Sequence, residues 1–134
     1  MPKTQVEIFA EVDGTAPLVE WMDKLKPVAQ DKCHAKIKLL ADYGYELRRP
    51  NADFLRDGIY ELRIKHEGVQ YRILYFFHDG DVVLSHGLQK ESKVPPGEID
   101  CAIDRKILFT VNPQKHTYEV EEESEDDNEK KTDN

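Results

Sequence analysis

An α+β fold is predicted, with an antiparallel sheet of about four strands and helices packed on one face. Three observations predict it. Residues 58–88 alternate apolar and polar side chains in three runs, separated by Glu67-Gly68 and Asp79-Gly80, which is the pattern of two consecutive β-hairpins. Residues 17–43 carry apolar positions at helical spacing. Strands this short also need a helical layer over one face to be stable. The expected element order is β-α-α-β-β-β-α.

Residues 5–12 alternate and read as the first strand, stopping at Asp13-Gly14. Pro17 suits the first turn of a helix, where its missing N–H needs no partner. Leu18, Trp21, Met22 and Leu25 form the apolar stripe of that helix. Pro27 breaks or restarts it, and a second helix runs to about Tyr43, with Val28, Cys33, Ile37, Leu40 and Ala41 along one side. Gly44 is a natural stop. Residues 46–57 read as a polar connection containing a proline. Strands follow at about 58–65, 69–77 and 81–88. Pro95-Pro96 interrupts the chain, and residues 98–109 form a last helix with Ile99, Ala102, Ile103 and Lys106 near one face.

Two-residue turns set a register that places Arg63 opposite Arg72, and Arg72 opposite Gly87. One face of the sheet then carries Tyr60, Leu62, Ile64, Tyr71, Ile73, Tyr75, Phe77, Val82 and Leu84, and is the buried face. The other carries Glu61, Arg63, Lys65, Gln70, Arg72 and Ser85 beside apolar Leu74, Phe76 and Val83. Directly opposed like charges repel. A sheet keeps an Arg63–Arg72 pair when an anion, or a carboxylate such as Glu61, sits between them, which makes this face a candidate site.

Length and charge bound the function. At 134 residues the chain is one domain with a single modest core. Of the net charge of −8, residues 119–134 carry nine acidic and two basic side chains, so the rest of the chain is near neutral. We therefore divide it into a domain at 1–112 and an acidic, disordered tail at 113–134. A sharper reading lays that tail over the basic face as an RNA mimic. A near-neutral body argues against grip on nucleic acid through the overall field, so any such site is local.

No run approaches the ~18 apolar residues of a membrane span, and the start lacks the apolar core of a secretory signal. Cys33 and Cys101 have no partner at metal-ligand spacing and read as free thiols in a reducing cytoplasm. His78 and His86 lie roughly 20 Å apart at ~3.3 Å per residue and cannot share a metal. No metal or cofactor is expected. His86 could act as a general acid near Arg72, although the register places it on the buried face.

The succession Leu55-Arg56-Asp57-Gly58-Ile59-Tyr60-Glu61-Leu62-Arg63, then Tyr71-Arg72-Ile73-Leu74-Tyr75-Phe76, then His86-Gly87-Leu88-Gln89-Lys90 resembles the toxins of the RelE/ParE superfamily. It is most similar to the phage-derived, HigB-like branch, over about residues 4–109. The resemblance implies a RelE-like fold and a toxin of a type II toxin–antitoxin system, a metal-independent endonuclease cutting mRNA in the ribosomal A site. It implies the ribosome, mRNA and a cognate helix-turn-helix antitoxin as partners, the last in a hetero-oligomer. The same superfamily includes gyrase inhibitors, so the alternative is a non-catalytic binder on the toxin fold.

Carried onto this chain, the resemblance implies that Arg72 stabilises transition-state charge and Arg63 places the phosphate, with Lys90 at a third basic position. Guanidinium forks match phosphate oxygens. Glu61 is either a base or the salt-bridge partner of Arg63, and His86 is a further candidate. Arg56, Lys65 and Lys93 are the expected contacts to the RNA backbone. Gln89 precedes Lys90 where this branch pairs lysines. No tyrosine or histidine of the kind that assists some relatives stands before Pro95-Pro96.

Overall fold

The computed structural model describes residues 4–119. Its elements are β1 (Val6–Ile8), α1 (Pro17–Asp23), α2 (Pro27–Tyr43), β2 (Ala52–Arg56), β3 (Ile59–His66), β4 (Val69–His78), β5 (Asp81–Lys90) and α3 (Pro96–Val111). Three two-residue turns organise the sheet. Asp57-Gly58, Glu67-Gly68 and Asp79-Gly80 each have positive φ at both residues, the geometry of type I′ turns, and they join β2 to β5 as consecutive hairpins.

Among the described residues the sheet has five strands in the order β1-β5-β4-β3-β2, not four. It is mixed rather than antiparallel, because β1 runs parallel to β5. The added strand is β2, which lies within the expected polar connection. It is an edge strand: Ala52 is buried in the core and Leu55 packs partly against the α3-side cluster, but Asp53 meets charges and Phe54 is half-exposed. Edge position explains why its composition reads as a loop.

Helices cover both faces, not one. Leu62, Ile64, Tyr71, Ile73, Tyr75, Val82 and Leu84 pack against Leu18 and Met22 of α1 and Ala29, Cys33 and Leu40 of α2. Val28, expected on that stripe, is exposed. On the opposite face Leu74, Phe76 and Val83 pack under Ile99, Ala102 and Phe109 of α3. That apolar half is large enough to demand cover, and α3 leaves the polar half open.

The register holds through Arg63↔Arg72 and then departs from expectation. Tyr75 pairs with Leu84, but Leu74 pairs with His86, so Ser85 is an extra residue in β5. Beyond this bulge every β5 side chain changes face. Arg72 faces Leu88 instead of Gly87, and His86 lies on the α3 side instead of the α1/α2 side.

The folded chain also continues past residue 112, where the tail was expected to begin. Residues Pro113–His116 make a 3₁₀ turn. His116 is buried, stacks on Phe9 at 5.1 Å and donates through Nδ1 to the Ala10 carbonyl at 2.9 Å. The Tyr118 N–H reaches the Ile8 carbonyl at 2.7 Å. Phe9 is thereby covered by His116 as well as by α3, whose Arg105 guanidinium lies 5.5 Å from its ring centroid. The rest of the acidic tail, from residue 120, lies outside the described residues. Cys33 and Cys101 are free. No helix among the described residues is long and apolar enough to cross a membrane.

Gly87 gives this fold a direct test. A Cβ added there would overlap the ring of Trp21. Overpacking of this kind costs about 1–3 kcal/mol. Gly87→Ala is expected to lower the unfolding free energy from a urea titration by that amount, and with it the midpoint, and Trp21→Leu in the same chain to recover part of the loss. An unchanged midpoint would contradict the packing of α1 on β5.

Candidate functional site

The bulge in β5 sets the site. On the α3 side, the register aligns three rows across β3, β4 and β5: Glu61, Leu74 and His86; Arg63, Arg72 and Leu88; Lys65, Gln70 and Lys90. α3 and Val94 cover Leu74 and Leu88. Arg63, Lys65 and Lys90 remain accessible beside them, with a cleft of about 330 Å³ lined by Lys36, Pro50, Arg63, Lys65, Gln70 and Arg72.

Glu61 stands between the two arginines. Only 3% exposed, it accepts from Arg63 Nε through Oε2 at 2.8 Å and from Arg72 Nε through Oε1 at 3.2 Å. Arg72, itself buried, also donates Nη1 to the Tyr71 carbonyl and Nη2 to Gln70 Oε1, both at 2.9 Å. Asp53, opposite Glu61 on β2, accepts from Arg63 Nη2 at 3.3 Å and from Arg49 Nη2 at 2.8 Å. The cross-strand repulsion between Arg63 and Arg72 is thereby offset by a carboxylate, without an external anion. Each guanidinium carries five N–H donors and keeps some beyond these bonds.

Burial shapes the charges. It pulls Arg72 below the ordinary guanidinium value; Glu61 opposes this and Arg63 adds to it. Lys90 is likewise lowered by burial first and then by Arg72 and Arg63, against Glu61. Its ammonium is therefore easier to deprotonate than a surface lysine. Asp53 is held below the usual carboxylate value, chiefly by the hydrogen bond from Arg49.

The remaining candidates fall elsewhere. His86 is buried, with Nδ1 2.8 Å from Ser85 Oγ and Nε2 2.8 Å from Glu98 Oε1, so both ring nitrogens are engaged under α3. Its imidazole is pushed below the ordinary value by burial, with Glu98 opposing and Arg105 reinforcing. Arg56 is held at the other end of the sheet by Asp57 and by Asp100 of α3, at 2.9 and 2.7 Å. Four residues of strand separate its partner Ile59 from Arg63, roughly 13 Å. Lys93 is exposed on the loop leaving β5, and Lys65 is exposed in the third row. Sequence reasoning missed Asp53 and Gln70 as arginine partners. Asp57-Gly58 was the signal available for Asp53, since a hairpin there makes residues 52–56 a strand facing Glu61.

A family model described as phage derived protein Gp49-like (DUF891) matches residues 20–118, most of the chain. The chain belongs to this Gp49-like family. The matched span takes in α1 from Glu20, all three hairpins, α3 and the closing turn, so the arginine site of this Gp49-like protein lies wholly inside it. Comparison with curated proteins found no match.

Two outcomes follow for the Gp49-like protein. Glu61→Gln removes the charge facing a buried arginine, a change that costs on the order of 3 kcal/mol or more. Asp53→Asn, whose partner Arg49 is exposed, should cost under about 1 kcal/mol. Thermal and urea unfolding of the two variants side by side would reveal equal losses if Glu61 were not the central partner. For His86, the folded state resists protonation and the unfolded chain does not. Stability is thus fully present above the ordinary imidazole value of 6.5 and declines as the pH falls below it. In His86→Gln the slope of stability against pH in that window should flatten.

Proposed function

We propose that this protein is the toxin of a type II toxin–antitoxin system, a RelE-like endoribonuclease that cuts mRNA on the ribosome and is neutralised by a cognate helix-turn-helix antitoxin. The observation that carries the reading is the pair of guanidiniums clamped by one buried carboxylate, one row from Lys90, on the half of the sheet that α3 leaves open. The sequence pattern around Arg63, Arg72 and Lys90 supports it, as does membership of a phage-derived family.

The chemistry needs three things. A ribose 2′-hydroxyl must lose its proton and attack phosphorus, the phosphorane must be stabilised, and the departing 5′-oxygen must gain a proton. Donors held in place before reaction serve the second task best. Arg72, fixed on three sides, faces the developing charge, and the more exposed Arg63 places the phosphate. Lys90, lowered by burial among cations, is suited to carry the proton. Glu61 is committed to both arginines and acts by positioning them. His86 is closed off by Ser85, Glu98 and α3, and takes no part. Lys65 and Lys93 extend the basic surface toward flanking phosphates. In this reading the protein works in the cytoplasm, where its substrate is translated.

A second reading, a non-catalytic binder such as a gyrase inhibitor, draws on the engagement of Glu61 and His86, which leaves proton transfer among the described residues of the three rows to the lysines Lys65 and Lys90.

Primer extension on a reporter mRNA after induction separates the two. The expected result is codon-phased, translation-dependent cuts that disappear in Arg72→Ala and fall at least tenfold in Arg63→Ala and Lys90→Ala, with His86→Gln still cutting. Growth arrest without cuts would overturn the nuclease and favour the binder.

A further inference from the structure

A second surface lies around the β2 edge from Arg63. Rings touch in series there: Tyr45 meets Phe77 at 6.2 Å, Phe77 meets Tyr60 at 5.2 Å, and Tyr60 meets Phe54 at 5.2 Å. Tyr75 stacks on Tyr60 at 5.4 Å and is buried, tying the series to the core. Its two outer members are not buried: Tyr45 is 66% exposed and Phe54 52%. A single exposed apolar side chain needs no explanation, but a contiguous group of rings points to a binding surface.

Arginines run beside the rings and around the edge. Arg48 donates to the backbone carbonyls of Tyr45 and Leu47. Arg49 is 72% exposed at its side chain and shares Asp53 Oδ2 with Arg63. Arg63, Arg49 and Arg48 thus form a line of cations around the β2 edge, with Asp53 between the first two and Glu61 on Arg63 as acidic groups. Asp53 and Phe54 are neighbours on an edge strand and point to opposite faces. Phe54 pairs with Tyr60, three residues from Arg63, so its backbone lies on the order of 10 Å from that arginine.

We propose that Tyr45 and Phe54 form a base-stacking platform for single-stranded RNA, whose backbone crosses the β2 edge along Arg49 on its way to Arg63 and Arg72. The inference rests on the RNA reading of the arginine site and adds where the flanking nucleotides go. Exposed aromatic faces beside a cationic track are how single strands are bound without sequence preference. Unpaired bases stack on such rings, whereas a duplex would present none. β2 is the terminal strand, so no further strand covers its outer edge. The continuity of cations from the rings to the candidate site favours a polyanion over a protein partner.

Fluorescence anisotropy with a short labelled single-stranded RNA, and with an abasic strand of equal length, tests this. Tyr45→Ala and Phe54→Ala should each weaken RNA binding roughly tenfold and leave both the salt slope and abasic-strand binding unchanged. Phe54→Trp should restore affinity. Both rings are largely exposed, so melting temperatures should stay near that of the parent. Equal RNA affinity in the parent and both alanine variants overturns the platform, as does a parent protein that binds no free RNA. Loss of affinity in Arg72→Ala alone overturns the platform and spares the arginine site. Loss in the ring variants, with Arg72→Ala unaffected, supports the platform and counts against that site.

Discussion

The buried carboxylate of Glu61 is the constraint around which this molecule is arranged. Two arginines directly opposed on adjacent strands would repel, and one of them is buried where an uncompensated charge is costly. Glu61 gives one oxygen to each. The bonds that make the pair tolerable also hold both planar forks at a set spacing, which is what recognition of a phosphate requires. The same commitment occupies both of its oxygens. Gln70 and Asp53 extend the arrangement outward, each holding one arginine from its far side.

One inserted residue completes the site. Without the bulge at Ser85, β5 would turn Gly87 and Gln89 toward Arg72 and its neighbours. With it, His86, Leu88 and Lys90 face that side and Gly87 slides under Trp21. The helical cover then divides the face: α3 lies over the apolar side chains and closes His86 in with Glu98, while Arg63, Lys65 and Lys90 stay accessible. Cationic character here is local. The body outside the acidic C-terminal residues is near neutral, so any polyanion is held by placement of a few side chains and not by a long-range field. The line of Arg63, Arg49 and Arg48 around the β2 edge follows the same logic.

Much of this was legible in the residues. Dipeptides able to adopt positive φ set the two central hairpins, and with them the Arg63–Arg72 pairing, because turn type dictates register at short range. Proline at the first turn and the apolar stripes placed all three helices to within a few residues. Glu61 was identified as the group able to separate the arginines, because residues two apart on a strand share a face. What local pattern could not supply came from long-range competition for space. The bulge lies just past Leu84, where the pairing of β5 with β1 ends and only β4 remains beside it. The choice of α3 for the second face depends on how much apolar surface the sheet still exposes after α1 and α2 dock. The edge strand β2 reads as a loop because half its side chains meet charges or solvent. Sequence alone thus determined the β3–β4 and β4–β5 hairpins, the helices and the opposed arginines, all consequences of backbone preference and period. Tertiary structure decided which β5 residues join them, which face stays open, and that His86 is sealed away, because those depend on packing between segments distant along the chain.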